Sequence, residues 1–137
     1  MKLNAAIISS FALAALLGCS EVAVDHHKLG VEAYQAKNFA EAAKHLSVSA
    51  GQGDPDSQAI LGSMYILGQG VTQDRKRAEE LLLAPANNGH PHAELFLGIL
   101  YFSSDNAEDL AKAKHWLEKS AAAGEPKAID LLTRLPK

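Results

Sequence analysis

Three glycine-x-proline triplets divide this chain at nearly equal distances, and they constrain its fold more than any other feature. They are Gly53-Asp54-Pro55, Gly89-His90-Pro91 and Gly124-Glu125-Pro126, at spacings of 36 and 35 residues. A glycine can end a helix in the left-handed conformation without a Cβ penalty. A proline two residues later fits the first turn of the next helix, where its missing N–H costs nothing. The spacing therefore predicts repeated units, each of which ends in a sharp turn.

Small residues recur inside each unit at matching positions. Each unit has an alanine 11 residues before the glycine of the triplet that ends it, and a leucine-glycine dipeptide earlier in the unit. These residues are Ala42, Ala78 and Ala113, and Leu29-Gly30, Leu61-Gly62 and Leu97-Gly98. Small side chains allow two helices to approach closely, and a chain rich in alanine with few alternating β-branched residues favours helix over strand. The pattern predicts an all-α chain of stacked helix–loop–helix units.

The middle unit carries the fullest form of the pattern: Leu61-Gly62-x-x-Tyr65-x-x-Gly68-x-Gly70-Val71-x-x-Asp74-x-x-x-Ala78, ending at Gly89. This pattern resembles the Sel-like repeat (SLR), a branch of the tetratricopeptide-like (TPR-like) α-solenoid group. The third unit replaces the glycine-rich loop with Ser103-Ser104-Asp105-Asn106, and the first unit has a shorter loop, similar to that of a TPR. The resemblance implies a short α/α solenoid at 25–137. It would contain about three helix-turn-helix repeats, at about 25–53, 54–89 and 90–124, and a capping helix at 125–135.

Pro85 departs from this regularity, because it falls inside the predicted second helix of the middle unit. An interior proline removes a backbone hydrogen bond and clashes with the preceding turn, at a cost of roughly 3 kcal/mol in an ideal helix. We therefore expect a kink or an early helix end near Leu83.

The first twenty residues indicate export and lipidation. The chain is apolar from Ala5 to Leu17 except for two serines, a length that suits a signal peptide and is short of the roughly 20 residues that span a bilayer. It ends in Leu16-Leu17-Gly18-Cys19, which resembles the lipobox of bacterial lipoproteins. The resemblance implies cleavage between Gly18 and Cys19, loss of residues 1–18, and a lipidated Cys19 followed by a short tether at 19–24.

The cysteine count agrees with that interpretation. Cys19 is the only cysteine, so it cannot form an intrachain disulfide. Several acyl chains such as palmitate would give stable anchoring where a single chain would not. We expect a lipid-anchored protein of the cell envelope. Ser20 after the cysteine resembles the class sorted to the outer membrane, facing the periplasm, in a Gram-negative host.

In TPR-like solenoids, the first helix of each unit lines a concave face. The resemblance implies that the corresponding positions here are His27, Val31, Tyr34, Ala59, Ser63, Ile66, Leu67, His92, Leu95, Ile99 and Phe102. Exposed apolar surface marks partner sites, and aromatic side chains are frequent anchors. We therefore predict that this groove binds a protein or a peptide, with Tyr34 and Phe102 as the favoured contacts. Packing inside the core is the alternative for the leucine and isoleucine side chains of the set.

Other function classes find little support in the sequence. A net charge of −3 gives no electrostatic footprint for nucleic acid. Gly68-Gln69-Gly70 lacks a preceding strand and fits the repeat loop, and no nucleophile has an evident base, so we expect neither an enzyme nor a cofactor. His26-His27 and His90-Pro91-His92 lack the i, i+4 spacing of a helical metal site. We interpret His90 and His92, at a predicted helix start, as solvated or capping residues. We expect His45 and His115 to be partly exposed packing residues.

Together these features predict a non-enzymatic, lipid-anchored adaptor or scaffold in the bacterial cell envelope, with an unidentified protein or peptide in its groove. Two alternatives stay open. One is a periplasmic antagonist, or immunity protein, that neutralises a toxin or an envelope enzyme. The other is an accessory factor for envelope assembly or secretion.

Overall fold

The computed structural model describes residues 23–136, and every element within that range is an α-helix or a connection between helices. The seven helices of this range are α1 (His26–Gln35), α2 (Phe39–Gly51), α3 (Pro55–Leu67), α4 (Arg75–Asn87), α5 (Pro91–Phe102), α6 (Ala107–Ala122) and α7 (Pro126–Arg134). The all-α prediction is confirmed. The predicted signal peptide, the cleavage site at Gly18, the lipidated Cys19 and most of the tether lie outside the described residues.

Consecutive helices pack as pairs, with α1 against α2, α3 against α4, and α5 against α6. The first helices of successive pairs also touch one another, since α3 contacts both α1 and α5, and α5 contacts α7. This nearest-neighbour packing is the arrangement of an α/α solenoid. It leaves α1, α3 and α5 side by side on one face of the molecule.

The glycine-x-proline triplets act as the sequence predicts. Their glycines have φ angles of +90°, +80° and +92°, and their prolines stand in the first turns of α3, α5 and α7. The middle residue of each triplet is the N-cap. Asp54 accepts a hydrogen bond from the backbone N–H of Ser57, and His90 accepts one from that of Ala93. Each junction therefore ends one helix and starts the next within three residues, and the first two also cap the new helix with a side chain.

One glycine in each first helix allows the two helices of a pair to approach closely. A Cβ built on these glycines would lie 2.5–2.7 Å from a carbon of a leucine side chain in the paired helix. The glycine–leucine pairs are Gly30–Leu46, Gly62–Leu82 and Gly98–Leu117. All three leucines are fully buried, so the same small-to-large contact is repeated at the centre of each unit.

Helix α4 continues through Pro85 to Asn87, so the expectation of an early end near Leu83 is wrong. The proline stands in the last turn, where its missing N–H affects a single intrahelical bond. Its carbonyl accepts hydrogen bonds from the N–H groups of Asn88 and His90, which close the turn. Its ring is fully buried in the core, which favours the position. Within residues 23–136, none of the helices has the length and hydropathy to cross a membrane.

Candidate functional site

An open cavity of about 340 Å³ lies where the first helices of the three units meet. It is lined by His27, Val31 and Tyr34 of α1, by Asp56, Ala59, Ile60 and Ser63 of α3, and by His90, His92 and Phe96 at α5. Spacings of three and four residues place these side chains on one face of each helix. Most of the lining is apolar. The histidines and Asp56 lie at the starts of the helices, and Tyr34 lies in the last turn of α1.

Six of the eleven predicted groove positions line this cavity: His27, Val31, Tyr34, Ala59, Ser63 and His92. The sequence analysis missed four lining residues, Asp56, Ile60, His90 and Phe96. A periodicity argument could have found three of them, since Ile60 and Asp56 lie one and two turns before Ser63, and Phe96 lies one turn after His92. The cavity is therefore nearer the N-terminal ends of α3 and α5 than the transferred positions imply.

The remaining candidates lie elsewhere. The prediction that Leu95 lines the groove is wrong. Its side chain is 5 % exposed and packs with Leu117, Ala128 and Leu131. Ile99 and Phe102 are half-buried against the same cluster, which the capping helix α7 completes. These three residues share one face of α5, and that face is turned toward α6 and α7.

On α3, the candidates beyond the cavity are the last two residues of the helix. Ile66 is half-buried against the central core cluster, and Leu67 is 59 % exposed. The core-packing alternative therefore applies to Leu95 fully and to Ile66 and Ile99 in part, whereas Leu67 remains on the surface.

A histidine and a carboxylate face each other at every junction between successive first helices. We call these contacts the junction pairs. They are His27 Nδ1–Asp54 Oδ1 at 2.9 Å, His90 Nε2–Asp56 Oδ1 at 2.8 Å, and His92 Nδ1–Glu125 Oε2 at 3.8 Å. In each pair, one partner is the N-cap of a first helix and the other lies two residues after the N-cap of the preceding first helix. The pairs therefore follow the repeat.

The contacts of His90 in the second junction pair define its tautomer. Its Nδ1 accepts the backbone N–H of Ala93 at 3.3 Å, so the hydrogen belongs on Nε2, which donates to Asp56. The sequence analysis interpreted His90 as a solvated or capping residue, and the cap is confirmed.

At the first junction pair, Asp54 is held in its charged form. Burial alone would raise the pKa of this carboxyl. Hydrogen bonds from the hydroxyl and the backbone N–H of Ser57, together with the charge of His27, bring the pKa below its ordinary value instead. The cap therefore keeps an ionised side chain at the N-terminus of α3, where the helix dipole favours a negative charge.

The other histidines lie away from the cavity lining. His26 Nδ1 is 2.9 Å from Nδ1 of His45, and Nε2 of His45 is 3.1 Å from Glu41. His115 is exposed and its ring contacts the edge of Trp116. Across residues 23–136, no group of three or more histidine, cysteine, aspartate and glutamate side chains is close enough to hold a metal ion.

Two further polar contacts fasten α5 to its neighbours outside the cavity. The hydroxyl of Tyr101 donates a hydrogen bond to Glu79 of α4. Burial is the main cause that raises the pKa of the phenol above its ordinary value, and the contact with Glu79 adds to it. Glu94, at 3 % exposure, faces Lys119 Nζ of α6 at 3.3 Å. The buried carboxylate of Glu94 thus has a cationic partner, as a buried charge requires.

Comparison with known families gives one match. A family model for the Sel1 repeat matches residues 55–90 and 91–125, which together cover just over half of the chain. The matched residues contain α3 to α6, and the two matches meet at the second glycine-x-proline triplet. No curated protein is significantly similar to this sequence.

Proposed function

Because this chain belongs to the Sel1 repeat family, whose repeats mediate protein–protein interaction, we propose that it is an adaptor that binds a protein or peptide segment in its concave cavity. The family consists of interaction scaffolds and is not typically enzymatic. The proposed adaptor accordingly performs no chemistry of its own.

The cavity is the observation that carries this proposal. It spans all three units, it is open to solvent, and aliphatic and aromatic side chains form most of its lining. Its volume of about 340 Å³ is at the lower end of the roughly 300–1,000 Å³ of ligand pockets. A space of this size accepts a few side chains of an extended or helical segment, so the partner would insert a short stretch of chain.

The proposed location is the surface of a bacterial envelope membrane, with a lipid on Cys19 as the anchor. Support comes from the apolar run and the Leu16-Leu17-Gly18-Cys19 segment. Only residues 20–24 separate Cys19 from Asp25, which caps α1. Fully extended, five residues reach roughly 17 Å, so the cavity would work close to the membrane.

Site-specific photocrosslinking in living host cells tests the adaptor proposal. A photoreactive amino acid replaces Val31 or Phe96, which line the cavity, or Val48, which is 42 % exposed on α2 outside it. We expect a discrete adduct from the two cavity positions and none from Val48. Adducts from Val48 alone, or no adduct from either cavity position, would contradict the proposal.

Mass spectrometry of the adduct then separates the three envelope roles. A secreted toxin or an envelope hydrolase as the partner would identify an antagonist. A component of an assembly or secretion machine would identify an accessory factor. A partner of any other kind supports a general adaptor.

A further inference from the structure

The junction pairs place three carboxylates around the cavity, and three histidines stand opposite them. Asp56 is itself part of the lining, with a side chain that is 60 % exposed, whereas Asp54 and Glu125 contact histidines that line it. Among residues 23–136, no lysine or arginine lines this cavity. With neutral histidines, the junction pairs therefore carry three negative charges beside an apolar surface, and no cation from the described part of the lining offsets them.

From this arrangement we propose that the cavity binds a peptide segment in which an apolar side chain is flanked by lysine or arginine, and that acidification releases it. The inference rests on the proposed function and specifies the partner and the regulation of the same site. The apolar side chain would occupy the space between Val31, Ile60 and Phe96, and the cation would meet Asp56 at the rim.

Charge complementarity is the reason why we propose a basic apolar segment as the partner. An acidic segment would place like charges against the three carboxylates, an arrangement that suppresses binding. A purely apolar segment would cover the apolar surface and leave the rim unmatched. A basic apolar segment matches both parts of the lining, and its contact with Asp56 would be a solvent-exposed ion pair.

The histidines supply the pH dependence. His27 is faced by Asp54 and Ser57 at the start of α3, His90 by Asp56 of α3 and the N–H of Ala93, and His92 by Glu125 at the start of α7. The rings of His90 and His92 also face each other, with centroids 6.0 Å apart. Among the described residues, Tyr34 is the only other titratable group of the lining. Histidines change charge between about pH 5 and 8. Protonation of all three would raise the net charge of the junction pairs from −3 to zero and would place cations beside the bound lysine or arginine.

Protonation also acts on the scaffold at His90. A second hydrogen would have to be placed on Nδ1, where the lone pair now accepts the N–H of Ala93. The protonated side chain can no longer cap α5, so acid would loosen the start of the helix that carries Phe96 while it cancels the charge of Asp56.

A displayed library of random dodecapeptides tests the partner class. The chain is produced from its full coding sequence, purified in mild detergent, immobilised through its C-terminus and exposed to the library at pH 7.5. We expect enriched peptides to place lysine or arginine beside an apolar residue. The strongest of them is then synthesised and its Kd is measured by fluorescence polarisation. Val31→Trp, which fills the cavity, should abolish its binding.

Charge variants test the mechanism with that peptide. Asp56→Asn should weaken binding by about threefold, the size of an exposed ion pair, and Asp130→Asn on the exposed side of α7 should leave it unchanged. Lowering the pH from 7.5 to 5.5 should weaken binding by about tenfold, since three charges change together. The triple variant His27→Gln, His90→Asn and His92→Gln should bind equally at both pH values, because it lacks the three histidines. Asparagine is used at position 90 because it still caps α5. His115→Gln should keep the wild-type pH response.

The outcomes separate the two proposals. Enriched peptides that bind through the cavity but are acidic or uncharged would overturn this inference and leave the adaptor function standing. The same holds if the triple variant still loses affinity at pH 5.5, or if acid strengthens binding. No enrichment, or binding that Val31→Trp does not reduce, would overturn both proposals.

Discussion

Replacing Gly62 with alanine should destabilise this protein, although alanine is the better helix former. A Cβ on Gly62 would lie 2.6 Å from Cγ, 2.8 Å from Cδ2 and 3.2 Å from Cδ1 of Leu82. The leucine is fully buried, so its side chain has no open space into which it could turn. Helices α3 and α4 would have to separate by several tenths of an ångström, and the core contacts on both sides of the pair would loosen.

The magnitude follows from two opposing effects. Overpacking a dense core by one methyl group costs about 1–3 kcal/mol. The exchange of glycine for alanine inside a helix returns about 1 kcal/mol. We expect a net loss of about 1 kcal/mol in the free energy of unfolding, and a Tm about 4 °C lower for a domain of this size.

Gly51→Ala is the matched control. It makes the same substitution in the last residue of α2, where no atom of residues 23–136 lies within 4 Å of the added Cβ. Here the entropic gain stands alone, and we expect the free energy of unfolding to rise by about 0.5 kcal/mol. Urea unfolding followed by far-ultraviolet circular dichroism measures both changes. Equal stabilisation by Gly62→Ala and Gly51→Ala would refute the close-approach argument.

A double-mutant cycle identifies the partner in the clash. Leu82→Ala alone should cost about 2–5 kcal/mol, because it empties a fully buried site. In the Gly62→Ala background, Leu82→Ala should cost less, by about 0.5 kcal/mol or more, because the new methyl group no longer meets the leucine side chain. Strict additivity of the two changes would place the strain elsewhere.

Three other predictions concern the caps and the anchor. The folded state holds the pKa of Asp54 below its ordinary value of 3.8. The stabilising contribution of Asp54 is therefore present above that pH and is lost as the pH falls through the lowered value. Asp54→Asn should flatten the stability–pH curve in that acidic range, and an unchanged curve would contradict this. His90→Ala should cost about 1 kcal/mol at neutral pH by removing the N-cap of α5, and His90→Asn should restore most of it; thermal unfolding compares the two. Cys19→Ser should move the protein from the membrane fraction to the soluble fraction with unchanged helicity, and retention in the membrane would contradict the anchor.

Local signals in the sequence were sufficient for the helices and turns. A glycine with a positive φ, a capping side chain and a proline at the first turn act within three consecutive residues, so each junction can be recognised without knowledge of the rest of the molecule. The early helix end expected near Leu83 was wrong for a related reason. The cost of a proline depends on its distance from the helix end, and the end at Asn87 is set by the turn that Pro85 itself helps to close.

The site was predicted only in part, because groove positions depend on how far each helix rotates toward its neighbours. The sequence places Leu95 and Phe102 on a regular face of α5, but α7 packs on that face and draws Leu95 into the core. Asp56 and Phe96 line the cavity because α3 and α5 meet near their N-terminal ends. Periodicity defines which residues share a face of a helix, and only packing decides which face remains open.

The sequence by itself determined the repeat and the helix pairs, because each depends on residues within one unit or on the exact recurrence of a short pattern. It also carries the whole case for the anchor at Cys19. Only the tertiary structure decided which side chains meet across units. His90 and Asp56 are 34 residues apart in the chain and form a 2.8 Å contact because successive units stack in register. Charge complementarity between repeats is a property of that stacking, and so are the cavity and its proposed response to pH.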